Sequence, residues 1–134
     1  MYSSKCASGT RRILVVEDDP LLAWELQDLL SGHGYQVIGP IGRLSILLTC
    51  LEKILKDAAI DAALLDVNID GGLVFPAADL LAGANVPFAF VSGHAHQMIP
   101  QAHRHRPLLN KPICPADVLD TVAQLVRTPA TAHS

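Results

Sequence analysis

Ala62-Ala63-Leu64-Leu65-Asp66-Val67-Asn68-Ile69-Asp70-Gly71-Gly72 is the stretch whose reading decides the fold. Ala62 to Leu65 is an apolar run with no polar alternation, the pattern of a strand covered on both faces in the parallel sheets of α/β proteins. The run delivers one carboxylate, Asp66, to its own carboxyl end. In open parallel sheets ligands bind beyond the carboxyl ends of the strands, so this acid stands where chemistry is usually done. Taken alone, an Asp ahead of Gly71-Gly72 reads equally well as a loop cap, and the remaining strands have to decide.

Toward the amino terminus, Ile13-Leu14-Val15-Val16 is a second short buried strand, starting after Arg11 or Arg12 and ending in Glu17-Asp18-Asp19-Pro20. Asp19 as N-cap and Pro20 at the first helical position open a helix with Leu22, Leu26, Leu29 and Leu30 on one face. Gly32 and Gly34 end it. Tyr35 to Ile38 reads as a strand, Gly39 to Gly42 as a turn, and Leu44 to Lys56 as a helix with Leu44, Leu47, Leu48, Leu51 and Leu55 at helical spacing. Toward the carboxyl terminus, Pro76 opens a helix over Ala77 to Ala82, and Val86 to Val91 is the next strand. From Ser92 to Arg106 the pattern weakens: His94, His96, His103 and His105 crowd a polar segment around Pro100. A Pro inside a helix costs about 3 kcal/mol, so this fourth helix is expected to be short or irregular. Leu108-Leu109-Asn110 is a brief strand, Lys111-Pro112 a turn, and Pro115 to Val126 an amphipathic helix with Val118, Leu119, Val122 and Leu125 inward. Five alternations of strand and helix predict a doubly wound five-stranded parallel sheet with helices on both faces, a flavodoxin-like α/β fold. The expected organisation is a disordered segment over 1–10, one domain over 11–127 and a flexible tail over 128–134.

The composition narrows the function. At 134 residues the chain is the size of one domain, with no length left for a separate sensor or output domain. A net charge of −3 with no basic stripe disfavours nucleic-acid binding, which needs clustered Lys and Arg. Arg43, Glu52 and Lys53 interrupt the longest apolar candidate and no signal-peptide core precedes it, so a cytoplasmic protein without membrane contact is expected. Cys6, Cys50 and Cys114 are odd in number and lack Cys-x-x-Cys spacing, which points to reduced thiols, with Cys50 as a small core residue.

The chemistry follows from what each strand delivers to the same edge. Glu17 and Asp18 end the first strand and Asp66 the third; as neighbours, three carboxylates converge. Like charges a few Å apart raise one another's pKa, so such a cluster is suited to holding a cation. Hard oxygen donors favour Mg²⁺, which usually shares its shell with a phosphate. Ser92 and Lys111 close the next two strands, a hydroxyl and a fixed cation that suit phosphoryl oxygens, while Asp66 offers the attacking oxygen. Individually the bland readings prevail: Lys111 as a solvated charge, Ser92 as a turn hydroxyl, Asp19 as a cap. Their joint placement, each at the end of a successive short apolar run, favours the functional one.

Val15-Val16-Glu17-Asp18-Asp19-Pro20, Leu64-Leu65-Asp66-Val67, Val91-Ser92-Gly93 and Asn110-Lys111-Pro112 resemble the receiver domains of two-component response regulators (CheY-like), over roughly residues 12 to 127. The resemblance implies that Asp66 accepts a phosphoryl group from a sensor histidine kinase or phosphotransfer protein, and that the domain catalyses only its own phosphorylation and dephosphorylation. It also implies that Asp18 binds Mg²⁺ directly, Glu17 mainly through water, and the Asn68 carbonyl as a further ligand. Ser92 and Lys111 would bind the phosphoryl oxygens, and Lys111-Pro112 would be cis. Val86-Pro87-Phe88-Ala89-Phe90-Val91-Ser92-Gly93-His94, with Ile99-Pro100 and Pro107 to Pro112, is similar to the FATGUY-type receivers of alphaproteobacteria, often single-domain proteins that work with HWE or related sensor kinases. Two positions depart from the pattern. Leu108 stands where typical receivers carry an aromatic switch residue, and His94 where the subgroup has Tyr. Coupling through a rotating aromatic is thereby lost, which points to Gly93 to Arg106 as the bistable element.

Output would pass to a downstream protein target or drain phosphate from a shared kinase, and a weak homodimer is among the allowed states. The alternative is a phosphorylation-independent binding module with a receiver fold, favoured by Leu108 and opposed by the retained acids and Lys111. A phosphatase of the haloacid dehalogenase type is disfavoured, because Asn68 stands where its general acid and base would be. Metal binding by His94-x-His96 and His103-x-His105 is a third reading, set against solvated loop histidines.

Overall fold

The computed structural model describes residues 10–57, 59–93 and 98–127. The segments expected to be disordered or flexible at the two ends, apart from Thr10, lie outside them, as do Cys6, His94 and His96. In chain order the elements are β1 (Arg12–Val16), α1 (Pro20–Gly32), β2 (Gln36–Ile41), α2 (Leu44–Asp57) and β3 (Ala62–Asp66), then the two-residue strands β4 (Asn68–Ile69) and β5 (Gly72–Leu73). There follow α3 (Phe75–Gly83), β6 (Phe88–Ser92), a 3-10 turn over Gln101–His103, β7 (Leu108–Asn110) and α4 (Pro115–Arg127).

Five strands form one parallel sheet in the order β2-β1-β3-β6-β7. Alternate residues of each strand face opposite sides, and each side is sealed by its own pair of helices. Leu14, Val16, Ala63, Leu65, Phe88 and Phe90 pack with Leu47 and Leu51 of α2 and with Ala77, Ala78 and Leu81 of α3. Ile13, Val15, Ala62, Leu64, Ala89 and Val91 pack with Leu22, Leu26 and Leu30 of α1 and with Val118, Val122 and Leu125 of α4. This is why Ala62 to Leu65 is apolar without alternation: all of β3 is buried, between β1 and β6 and under helices on both sides. The expected doubly wound sheet is the one observed.

Some local expectations give way. The strand read as Tyr35 to Ile38 runs on to Ile41. Gly39, at φ +99°, sits so close to β1 that a Cβ would lie 2.8 Å from the Val15 carbonyl oxygen, and the register shifts there before Ile41 pairs with Val16. Gly39-Pro40 is therefore an irregularity inside a strand, not the start of a turn, and its peptide bond is cis, as is that of Lys111-Pro112. The loop after Asp66 folds as a small antiparallel hairpin, β4 with β5, around Asp70 and Gly71. Cys50 is half-buried at the side of α2 instead of in the core, because Leu47 and Leu51 take the inward positions. The irregular fourth helix is the short 3-10 turn at Gln101–His103. Its His103 departs from the expected solvated loop histidine: the ring is buried.

Candidate functional site: an acidic cluster faced by one lysine

The carboxyl ends of β1, β3, β6 and β7 bring the predicted residues to one edge. Because β1 pairs with β3, Glu17 and Asp18 arrive beside Asp66. Because Ser92 is in register with Asn110, Lys111 follows immediately beyond Ser92 and donates its backbone N–H to the Ser92 carbonyl at 2.9 Å. One ligand oxygen from each of Glu17, Asp18 and Asp66 can be chosen so that all lie within 4.8 Å of one another. Glu17 and Asp66 are buried and Asp18 is exposed.

Lys111 faces the cluster. Its Nζ donates to Asp66 Oδ2 at 3.0 Å and lies 3.4 and 3.5 Å from the two Glu17 oxygens. Glu17 Oε2 also accepts from the Asp19 backbone N–H at 3.0 Å, whereas buried Oε1 accepts no hydrogen bond. Asp19 does what its sequence position suggests, accepting from the Leu21 N–H at 3.0 Å to cap α1. The Asn68 N–H donates to Asp66 Oδ1 at 3.3 Å, a long bond that ties the start of the hairpin to the central carboxylate.

Burial, followed by the adjoining Asp66, pushes the Glu17 carboxyl up to about 7. Burial also opposes the charge on Lys111, but the hydrogen bond and negative charge of Asp66, with Glu17 behind it, outweigh that and raise its pKa. Among the described residues, one lysine thus opposes three acids. A hard divalent cation fits this donor set: it would supply the missing positive charge and a partner for Glu17 Oε1. Beside Glu17 and Asp18 a cleft of about 610 Å³ opens toward Gly42, Arg43 and Asp70, which leaves room for such an ion's waters or a phosphoryl group.

The support on that side was not read from the sequence. A Cβ on Gly42 would meet Asp18 Cα at 2.8 Å and the Glu17 carbonyl oxygen at 2.9 Å, so only glycine lets the β2–α2 connection close against the acid pair. That connection is pinned to the hairpin: the Asp70 N–H donates to Gly42 O at 3.1 Å, the Leu44 N–H donates to Asp70 O at 2.8 Å, and Arg43 pairs with Asp70 at 2.9 Å. The signal in the sequence was Gly42 alone, which the turn reading absorbed.

No protein-family model matches the chain. Solved structures of response regulator receiver proteins share its fold. SdrG from Sphingomonas melonis Fr1 is 36% identical, with a TM-score of 0.73 over 87% of this chain and 97% of that one. The chain belongs to the response regulator receiver domains. SdrG in its BeF3-activated conformation is also similar to this receiver, with a TM-score of 0.69 over 86% of this chain and 95% of that one. The phyllosphere-induced regulator PhyR of Methylorubrum extorquens is 32% identical over 123 residues, 88% of this chain. The receiver spans 44% of that curated relative's length. These likenesses fit the alphaproteobacterial subgroup read from the sequence. The receiver domain of the sensor histidine kinase PA1611 from Pseudomonas aeruginosa, solved with a magnesium ion in its active-site cleft, is 20% identical and shares the fold, with a TM-score of 0.69 over 90% of this chain and 100% of that one.

Proposed function

We propose that this receiver takes a phosphoryl group onto Asp66 from a sensor histidine kinase or phosphotransfer protein and signals by contact with a downstream protein or by draining phosphate from a shared kinase. The observation that carries the reading is the pairing of Lys111 with Asp66 at 3.0 Å inside a cluster of three carboxylates. An Asp66 oxygen attacks phosphorus and forms the new P–O bond as the bond to the donor nitrogen breaks, its electron pair leaving on the donor's imidazole. Hydrolysis of the resulting acyl phosphate restores the carboxylate and releases phosphate. Lys111, just beyond β7, and Ser92, at the end of β6, would hold the phosphoryl oxygens.

Glu17, Asp18, Asp66 and the Asn68 carbonyl are the proposed Mg²⁺ ligands, and the ion supplies positive charge against the phosphoryl oxygens and the acids alike. The magnesium ion in the active-site cleft of the PA1611 receiver supports the metal assignment by analogy, and the BeF3-activated form of SdrG supports the phosphoryl-acceptor reading. The reading places the protein in the cytoplasm, in keeping with described helices none of which is long and apolar enough to cross a membrane.

Intact-mass analysis after incubation with acetyl phosphate tests the proposal. Wild type should gain one phosphoryl mass with Mg²⁺ and none in EDTA, and Asp66→Asn none in either. Absence of any adduct, with beryllofluoride and Mg²⁺ also leaving the amide spectrum unchanged, would instead make the chain a phosphorylation-independent binding module.

A further inference from the structure

A cavity of about 510 Å³ opens at the edge of the sheet opposite to Asp66, where the chain enters β6 and β7 and where α3 and α4 end. Its volume is that of a small-molecule site. The lining is mixed in an informative way. Ala82, Val86, Pro107 and Leu125 give apolar walls; Asn85, His105 and Gln124 add polar groups; Arg106 is the fixed cation, and among the described residues no Asp or Glu lines it.

Among the described residues Arg106 has no counter-charge. Its guanidinium carbon lies 4.2 Å from the centre of the Phe88 ring, within the range of a cation–π contact, which fixes the plane of the group. Its Nε is buried and makes no hydrogen bond, and no carboxylate pairs with it among the described residues. Burial lowers its pKa, the mark of a charge that lacks compensation. A planar fork of donors beside an apolar wall matches a carboxylate attached to an apolar body. A phosphate suits the cavity less well, because its second charge would meet no second fixed cation.

We propose that this cavity binds a small organic carboxylate, with the acid on Arg106 and the apolar part along Ala82, Val86, Pro107 and Leu125. The site lies at the far end of the strands from Asp66 and does not depend on phosphorylation. It does touch the connection between Ser92 and Lys111: the Arg106 N–H donates to the His103 carbonyl at 3.1 Å, and Pro107 O accepts from the Phe90 N–H at 2.9 Å. A ligand on Arg106 would steady that connection.

Titration of the full chain with hexanoate, followed by amide NMR, tests the site, with hexanamide and inorganic phosphate as controls. Hexanoate should saturably shift amides within 85–88, 105–106 and 124–125, and bind at least tenfold more tightly than either control. Arg106→Gln should lose tenfold or more in hexanoate affinity, while Asp66→Asn binds as wild type does even though it cannot be phosphorylated. Should Arg106→Gln fail to fold, Ala82→Leu, which narrows the cavity without touching the charge, should weaken hexanoate in its place. Shifts that do not saturate, that fall elsewhere, or that hexanamide or phosphate reproduces would overturn the proposal. So would unchanged affinity in the folded Arg106→Gln variant.

Discussion

Glu17 is the residue whose surroundings make the sharpest demand. A carboxyl that titrates near 4.5 in an unfolded chain is pushed up to about 7 here, by burial first and by Asp66 second. In metal-free protein the native state therefore keeps a proton between those values that the unfolded chain has already released. Stability falls with rising pH wherever the native state binds more protons, so the contribution of neutral Glu17 is complete below 4.5 and gone above about 7. Urea unfolding in EDTA should show wild type losing stability as pH rises from about 4.5 to about 7, a slope that Glu17→Gln largely abolishes because an amide carries no charge to bury. With Mg²⁺ present the trend should flatten, since an ion that binds the ionised cluster stabilises the folded state most where Glu17 is charged. An equal slope in wild type and Glu17→Gln would move the titration to another group.

At the scale of the element, the sequence was most legible where burial is repetitive and least where a single tertiary contact decides. Ala62 to Leu65 could be read as doubly covered because every position obeys the same constraint. So could α1, α2 and α4, whose inward residues recur at helical spacing. The site residues were legible for a related reason: β1, β3, β6 and β7 each end at one edge, and each ends in or runs directly into a chemically distinctive residue. The connection between β6 and β7 follows no such rule. Among its polar neighbours, His103 looks solvated, yet only 4% of it is exposed, and its ring meets Phe88 and Phe90 edge-on at centroid distances of 5.6 and 6.2 Å. Its Nε2–H donates to Asp79 Oδ1 on α3 at 2.7 Å, so the histidine fastens the connection to the neighbouring helix. His103→Ala should cost about 2–4 kcal/mol, as truncation of a packed ring does. Asp79→Asn should cost only about 0.5–1.5 kcal/mol, because the aspartate side chain is 73% exposed and only its hydrogen bond is weakened. The double variant should fall short of the sum, since the second change removes a bond the first has already broken. Hydrogen exchange places the effect: amides of 101–106 should lose protection in His103→Ala before those of β1 and β3 do. Uniform loss across the sheet would make His103 an ordinary core residue.

Across the whole molecule, the fold uses its two helical layers to hold a sheet whose carboxyl edge carries more negative charge than it can comfortably neutralise. Folding is a small difference between large opposing terms, the burial of apolar side chains and the loss of chain entropy. The net margin is small enough for a strained charge cluster to register in it. A cation that binds only the folded state adds about 2.7 kcal/mol at roughly one hundred times its dissociation constant, or about 10 °C in melting temperature for a domain of this length. Asp18→Asn should lose most of that gain by removing a charged donor. The more telling variant leaves every proposed ligand in place. Gly42→Ala puts a Cβ 2.8 Å from Asp18 Cα and 2.9 Å from the Glu17 carbonyl oxygen, with the hydrogen bonds to Asp70 resisting retreat on the other side. The backbone under the acid pair has to shift, at a cost of about 1–3 kcal/mol. If the cluster's geometry and not merely its composition holds the ion, Gly42→Ala should also flatten the Mg²⁺-dependent rise in melting temperature and slow phosphorylation by acetyl phosphate. A variant that is less stable yet gains as much from Mg²⁺ as wild type would mean that the acids bind through mobile side chains, and that the tie between the β2–α2 connection and the hairpin serves the fold alone.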